Sequence, residues 1–178
     1  MIPKKLTHRS STQTNELSDR QQRIYNFLQA NSIGVLSTVS PNSEPHGSVI
    51  YYSIDEHFIV YFLTKAKTQK FDNIAHNNHV MLTVFEPHSQ TTAQVIGQAV
   101  EVTDSAKVNG IAGSVLGASL KTTNSGLLPI TKLEAGTYSA FKVEPVQIRM
   151  AVYATSEQGD YEGIFESLES FELNNPAS

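Results

Sequence analysis

Three lysines are concentrated in one short segment of the chain. Lys65, Lys67 and Lys70 are the only Lys or Arg residues between Arg23 and Lys107, and they lie where an apolar strand is followed by a predicted helix. The first N–H groups of a helix lack partners and carry the positive end of its dipole, so lysines there cost a few tenths to about 1 kcal/mol each. A bound phosphate would reverse this effect. The segment predicts an anion site, although composition alone also fits a solvated turn.

The composition excludes several classes of protein. The chain has 178 residues, 39% of them hydrophobic, and a net charge of −4, which is typical of one soluble domain. No run reaches the roughly 18 apolar residues of a membrane span, and residues 1–17 lack the apolar core of a signal peptide, so a cytoplasmic protein without membrane contact is expected. The absence of cysteine excludes thiolate nucleophiles and cysteine-ligated metals. The absence of a basic stripe argues against nucleic acid as a partner.

The order of the predicted elements indicates an α+β barrel or sandwich rather than a doubly wound sheet. Ser18 and Gln21 fit a capping box at the start of a first helix. A strand over 58–63 is apolar on both faces and needs a core on one side and a helix or a second subunit on the other. The remaining predicted elements are strands at 33–39, 48–54, 80–85, 92–102, 137–143 and 146–153, and helices from about 68 to 77 and from 104 to about 116.

Smaller features complete the prediction. Gly97 inside a strand indicates a bulge or a close approach of two backbones. Residues 1–17 are expected to form a flexible arm. The acidic tail, 156–178, carries Phe165, Leu168 and Phe171 at near-helical spacing, which favours a docked helix over a partner-binding motif. Residues 18–155 would form the folded domain.

Two other patterns do not predict a site. His76 and His79 lie on either side of a predicted helix end, and no third ligand completes a metal site. Gly110, Gly113 and Gly117 lie in or just after the helix predicted from residue 104. They do not have the spacing of a dinucleotide loop, and small residues at a close helix contact explain them more simply.

The lysine segment belongs to a longer pattern of residues. An apolar strand ends in Phe62-Leu63-Thr64, Thr68-x-Lys70 begins a helix, and that helix closes at Asn77 before Val80. Farther along come Val95-Ile96-Gly97-Gln98-Ala99 and Phe141-Lys142-Val143-Glu144-Pro145-Val146-Gln147-Ile148-Arg149. Over about two thirds of the chain, from Ile33 to Tyr153, this pattern resembles the flavin-binding split barrel of the pyridoxamine 5'-phosphate oxidase-like family.

The resemblance implies a fold, a cofactor and a site. The fold is an α+β split β-barrel of six to seven mainly antiparallel strands with flanking short helices, in a homodimer that binds flavin mononucleotide (FMN) and works with a small-molecule electron donor and acceptor. Lys70 would contact the phosphate, with hydroxyls from two threonines and N–H groups near Gln69, and a segment of the second strand would line the ring. The cofactor-binding residues are therefore expected to be Ser48, Val49, Ile50, Leu63, Thr64, Thr68, Gln69 and Lys70.

The chain departs from the family's vitamer oxidases at several positions. Those enzymes place basic side chains on the second strand and beside the phosphate lysine, where this chain has Gly47, Tyr52 and Gln69. Trp is absent, and no Lys or Arg follows Arg149. The resemblance still implies FMN binding, but these departures mean that oxidation of a phosphorylated vitamer is not expected. A non-catalytic flavin carrier or sensor, a deazaflavin-dependent reductase and a haem-binding protein remain alternatives, and no residue is identified as an acid, base or nucleophile.

Overall fold

The computed structural model describes residues 18–122, 138–153 and 165–173. Seven strands and three helices lie within these ranges, and no helix among them is long and apolar enough to cross a membrane. In chain order they are α1 (Asp19–Ala30), β1 (Ile33–Val39), β2 (Pro45–Ile54), β3 (Val60–Lys65), α2 (Gln69–His76), β4 (His79–Glu86), β5 (Thr91–Val102), α3 (Ser105–Thr122), β6 (Tyr138–Tyr153) and β7 (Phe165–Glu172).

Six of the strands close into an antiparallel barrel. The order in the sheet is β3-β2-β1-β4-β5-β6-β7, and an additional pairing of β3 with β6 closes the ring. The first part of β6 pairs with β3 and the last part pairs with β7, while β5 pairs along most of its length. The structure thus confirms the predicted α+β split barrel, with β7 extending the sheet outside the closed ring.

Strand β6 is continuous across Pro145, where the sequence predicts two strands. Pro145 pairs with Gly97, the next pair is Gln147 with Ile96, and Val146 is the extra residue of a bulge. A Cβ atom at Gly97 would lie 2.2 Å from the carbonyl oxygen of Glu144. Both predictions for Gly97 are therefore confirmed, and the bulge explains how a strand tolerates a proline that cannot donate to the ladder.

Helix α1 packs against the core of the barrel. The predicted capping box is present, because Gln21 N donates to Ser18 Oγ and Ser18 N donates to Gln21 Oε1. The inner face of α1 places fully buried Ile24 and Leu28 in the same cluster as Tyr52 of β2. The Tyr52 hydroxyl lies 2.8 Å from the Leu28 carbonyl oxygen and 2.6 Å from that of Asn31. This hydroxyl ties the end of α1 to the barrel wall.

We expect Tyr52→Phe to lose about 1–2 kcal/mol of unfolding free energy, because it leaves buried carbonyl groups without their donor. Urea denaturation measures this loss. Tyr25→Phe is the matched control, since the one hydrogen bond that the Tyr25 hydroxyl makes within the described ranges is exposed and is accepted from Gln29. Its loss should stay below about 0.5 kcal/mol. Equal losses in the two variants would contradict a structural role for the Tyr52 hydroxyl.

Helix α3 covers the outer face of β3. Its buried residues Ile111 and Val115 pack with Tyr61 and Leu63, whose side chains point away from the barrel interior. The apolar outer face of this strand is thus covered by a helix rather than by a second subunit. The helix extends to Thr122 instead of ending near residue 116.

The glycines of α3 do not make the close helix contact predicted from the sequence. A Cβ atom at Gly110, Gly113 or Gly117 would meet nothing within 4 Å among the described residues. These three glycines face open space among the described residues, so the prediction of a close helix contact is wrong there.

The predicted helix in the acidic tail is also wrong, because residues 165–172 form β7. The edge of β6 from Gln147 to Tyr153 would otherwise leave backbone groups unpaired, and β7 pairs with it. Phe171 packs edge to face on Phe58, with ring centroids 5.2 Å apart. The three-residue spacing of the apolar residues in this tail could not show that it forms a strand rather than a helix, because the strand depends on an available sheet edge. The predicted arm, 1–17, lies outside the described residues.

Candidate functional site

The turn between β3 and α2 gathers three of the predicted site residues. Thr64, at the end of β3, is buried, and its Oγ1 atom lies 3.1 Å from Thr68 Oγ1. Lys70, in the first turn of α2, donates from Nζ to Thr64 Oγ1 at 3.3 Å. Thr68 Oγ1 also donates to the Lys65 carbonyl oxygen at 3.1 Å. Two hydroxyls and one ammonium group therefore form one hydrogen-bonded cluster.

The ammonium group of Lys70 has no anionic partner within the described ranges. The salt bridges found there involve His57 with Glu56 and Lys142 with Glu144. Burial lowers the pKa of Lys70, since it disfavours the charged form. A half-buried cation that contacts only a hydroxyl is an unfavourable arrangement that a bound anion would relieve.

The start of α2 adds donors to the same place. Thr68 is the N-cap residue, yet its side chain makes no capping hydrogen bond. The first helical hydrogen bond runs from Asp72 N to Thr68 O, so the N–H groups of residues 69–71 have no helical acceptor. The helix dipole reinforces the attraction for an anion. Phosphate geometry suits this set of ammonium, hydroxyl and N–H donors.

Strands β2 and β3 separate next to this turn. Their ladder consists of only three pairs, from Tyr52 with Phe62 to Ile54 with Val60. A continued register would place Ile50 opposite Thr64, but the described ladder ends before them. On their other sides the two strands stay paired with β1 and β6. Segments 48–50 and 63–64 are therefore unpaired with each other beside the lysine turn, and this unpaired stretch is called the split.

Comparison with protein-family models decides the family. The model described as pyridoxamine 5'-phosphate oxidase matches residues 21–151. The chain belongs to the pyridoxamine 5'-phosphate oxidase family. Comparison with curated proteins returns no match.

Solved structures with the same fold include proteins of this family. General stress protein 26 from Bacillus anthracis str. Sterne is 26% identical, with a TM-score of 0.57 and coverage of 73% of this chain and 92% of that one. A putative pyridoxamine 5'-phosphate oxidase from Listeria innocua is 19% identical, with a TM-score of 0.56 and coverage of 73% and 96%. A heme binding protein from Mycobacterium smegmatis has a TM-score of 0.64 at 10% identity, covering 88% of this chain and 59% of that one. The last two likenesses concern the fold alone.

The predicted ring-lining residues of this family member lie on β2 at the split. Ser48 is half-buried, and its Oγ atom lies 3.4 Å from His46 Nδ1. Ile50 is buried inside the barrel, whereas the side chain of Val49 is 68% exposed on the outer face. Leu63 differs from Thr64 in orientation, since it packs outward under α3. The structure places these residues on the two sides of the split rather than in one hydrogen-bonded cluster.

Asn73, Thr38 and His46 also lie at the site, and the sequence-based prediction does not include them. Asn73 of α2 is fully buried and accepts from Gln69 Nε2 at 2.9 Å. Its Nδ2 atom donates to Thr38 Oγ1 of β1 at 2.9 Å, and Thr38 Oγ1 lies 3.4 Å from the His46 carbonyl oxygen. A polar residue on the inner face of a short amphipathic helix is the signal that could have revealed Asn73.

Two cavities lie away from the lysine turn. One, of about 620 Å³, is bordered by Tyr61, Lys107 and Lys142 between α3 and the barrel. Another, of about 250 Å³, lies between α1 and α3 near Ser114. Neither is lined by a predicted cofactor residue, and the described residues contain no group of three potential metal ligands. We favour the lysine turn as the site because an unpaired cation and free helix N–H groups meet there.

Proposed function

We propose that this member of the pyridoxamine 5'-phosphate oxidase family is a cytoplasmic FMN-dependent oxidoreductase, which transfers electrons between a small-molecule donor and an acceptor. One observation carries the proposal. The half-buried ammonium group of Lys70 lies at the uncapped start of α2, with two threonine hydroxyls and no carboxylate partner among the described residues. A phosphate monoester fits these donors.

Each residue has a defined task in this proposal. Lys70 supplies the point charge for the phosphate, and Thr64 and Thr68 donate hydroxyl hydrogen bonds once their mutual contact is exchanged for phosphate oxygens. The N–H groups near Gln69 complete the phosphate contacts. The β2 segment 48–50 orients the ring across the split and limits its contact with water. When bound, the flavin supplies the redox chemistry.

The substrate differs from that of the vitamer oxidases in this proposal. A phosphorylated substrate needs its own cationic groups, and the matching positions hold Gly47, Tyr52 and Gln69. The Tyr52 hydroxyl already contacts backbone carbonyls inside the barrel, and the Gln69 amide donates to Asn73. Neither side chain supplies a cation for a second phosphate. We therefore propose an electron donor or acceptor without a phosphate ester at the reacting end.

A homodimer is part of the proposal, on a different basis from the sequence prediction. Helix α3 covers the two-sided strand β3, so that strand no longer needs a subunit. The outer faces of β1, β2 and β4 instead expose Val35, Val49 and Phe85 at 41%, 68% and 59%, and the first two are paired neighbours. An apolar sheet face of this kind is typical of an interface. It also adjoins the ring-binding segment of β2.

Phe85→Lys should convert the protein from dimer to monomer at micromolar concentration, because an aromatic residue that an interface buries commonly contributes about 2 kcal/mol or more. Light scattering of the purified variant measures the mass. Leu120→Lys is the control, since Leu120 is 54% exposed but lies on α3, outside this sheet face. A wild-type protein that is a monomer with flavin bound would refute the dimer.

The proposed function is tested by the visible absorption spectrum of the purified protein, before and after addition of FMN and desalting. Mass spectrometry then identifies whatever the denatured protein releases. Retained FMN supports the proposal, whereas a colourless protein that ignores FMN contradicts it. Retained deazaflavin or haem would assign the site to one of the alternative cofactors. Reduction of the bound flavin by NAD(P)H or dithionite and its reoxidation by an added acceptor faster than free FMN would distinguish an enzyme from a carrier.

A further inference from the structure

The split between β2 and β3 raises the question of what fixes the distance between its two sides. In the proposed function the ring lies where these two strands are unpaired, so no ladder holds the strands together at the point where both would contact the ligand. The phosphate donors belong to the β3 side, through Thr64 and α2. The ring-lining residues belong to the β2 side. A contact outside this ladder would therefore help to fix the distance between the two sides.

A chain of polar contacts with a buried centre crosses from one side to the other. It begins at Gln69 Nε2, which donates to Asn73 Oδ1 at 2.9 Å, and continues from Asn73 Nδ2 to Thr38 Oγ1 at 2.9 Å. Thr38 Oγ1 then lies 3.4 Å from the carbonyl oxygen of its cross-strand neighbour His46. His46 Nδ1 finally lies 3.4 Å from Ser48 Oγ, at the start of the ring-lining segment.

The two central members of this chain are inaccessible to solvent. Asn73 is 0% exposed and Thr38 is 2% exposed. A buried amide costs free energy unless its donors and acceptors are paired, and Asn has a lower helix propensity than an apolar Leu or Ala at the same position. Neither packing nor helix formation explains Asn73. Its directional hydrogen bonds fix where α2 sits against β1, which an apolar contact would do less strictly.

We propose that Asn73 and Thr38 are positioning residues that hold the first turn of α2 at a fixed distance from the β2 side of the split. The inference rests on the proposed FMN site, and it names a control on ligand discrimination that the phosphate contacts alone do not provide. FMN touches both sides at once, whereas riboflavin lacks the phosphate and touches only the ring side. Loss of the fixed distance therefore weakens the binding of FMN more than the binding of riboflavin, because preorganisation benefits only a ligand that spans both sides.

Thr38→Val tests this inference, because valine keeps the shape of threonine and removes the hydroxyl. Fluorescence titration of the apoprotein with FMN and with riboflavin should show a roughly 5- to 30-fold loss for FMN, the scale of one or two buried hydrogen bonds. The loss for riboflavin should stay below about threefold. Thr38→Ser restores the hydroxyl, so it should bring the FMN affinity close to that of the wild type.

A matched control separates this effect from general destabilisation. Thr91 is also a buried strand threonine, 5% exposed, but its hydroxyl contacts Ser89 at the β4–β5 hairpin. Thr91→Val should leave both flavin affinities unchanged. Equal losses of FMN and riboflavin in Thr38→Val, or no loss of either, would overturn the positioning role.

Hydrogen exchange of the apoprotein provides a readout without any flavin. Thr38→Val should speed the exchange of α2 amides, residues 69–76, relative to the wild type and to Thr91→Val. Unchanged exchange in α2 would overturn the tie between α2 and the barrel. A wild-type protein that does not bind FMN would instead refute the proposed function. The exchange experiment alone would then test whether Thr38 and Asn73 hold α2 against the barrel.

Discussion

Lys70→Ala is expected to bind FMN about ten- to over a hundredfold more weakly than the wild type. The variant loses a charge-assisted contact worth roughly 1.5–3 kcal/mol, and each 1.4 kcal/mol changes a dissociation constant about tenfold. The effect is large because the described residues supply no other cation within hydrogen-bonding distance of the Thr64 and Thr68 hydroxyls. Quenching of FMN fluorescence during titration of the apoprotein measures both affinities.

Lys67→Ala is the matched control for this experiment. Lys67 lies three residues earlier in the same turn, but it is exposed, and no hydrogen bond joins its side chain to the cluster within the described residues. A bulk electrostatic effect would weaken FMN binding equally in both variants, especially at low salt. The phosphate contact proposed here predicts a much smaller loss for Lys67→Ala. Unchanged affinity in Lys70→Ala would remove that residue from the site.

Loss of binding in Lys70→Ala should not reflect unfolding. Burial lowers the pKa of Lys70, so the folded apoprotein carries a cost for holding the charge. That cost is fully present below the lowered pKa and disappears as the pH rises to the ordinary lysine pKa, because the unfolded state binds more protons in this interval. At neutral pH the apoprotein of Lys70→Ala should therefore be about as stable as the wild type or slightly more stable.

Gly97→Ala should destabilise the fold by roughly 3 kcal/mol or more, at the upper end of overpacking effects. The new Cβ atom would lie 2.2 Å from Glu144 O and 2.9 Å from Pro145 Cα. Both are backbone atoms of the strand that also closes the barrel, so relief of the clash requires β5 and β6 to move apart. Urea denaturation measures the loss, and a variant that does not accumulate in folded form is consistent with it.

Gly110→Ala is the opposite case and serves as the control. Its Cβ atom would meet nothing within 4 Å among the described residues, and Ala in a helix interior is favoured over Gly by about 0.5–1 kcal/mol. This variant should be more stable than the wild type. A small loss in Gly97→Ala would show that the bulge can relax without opening the sheet.

Local signals in the sequence predict the local features of this structure. The Ser18 capping box, the start of α2 at Gln69 and the close backbone approach at Gly97 are all present. Each depends on a few neighbouring residues, or on the steric difference between Gly and every other residue. The cluster of Thr64, Thr68 and Lys70 is of the same kind, because a strand end, a turn and a first helical turn place the three residues together.

Features that depend on distant partners are not predictable in this way. Pro145 reads as a strand end unless the bulge opposite Gly97 is known, and residues 165–172 read as a helix unless the free edge of β6 is known. The Asn73–Thr38 contact joins α2 to β1, and β2 and β3 lie between these two elements in the chain. In each case tertiary structure overrides a local pattern or adds a partner from elsewhere in the chain.

Strand β6 pairs with β5 and also closes the ring by pairing with β3, which has a consequence for the order of folding. Strands β2, β1, β4 and β5 form a sheet from pairs that are mostly close in the chain, whereas the ring closes only when β6 reaches β3, far away in sequence. Such non-local pairing carries a loop-closure entropy cost before it gains any contacts, which slows folding. Closure by β6 is therefore expected as a late event, and the split can take its final width only after it.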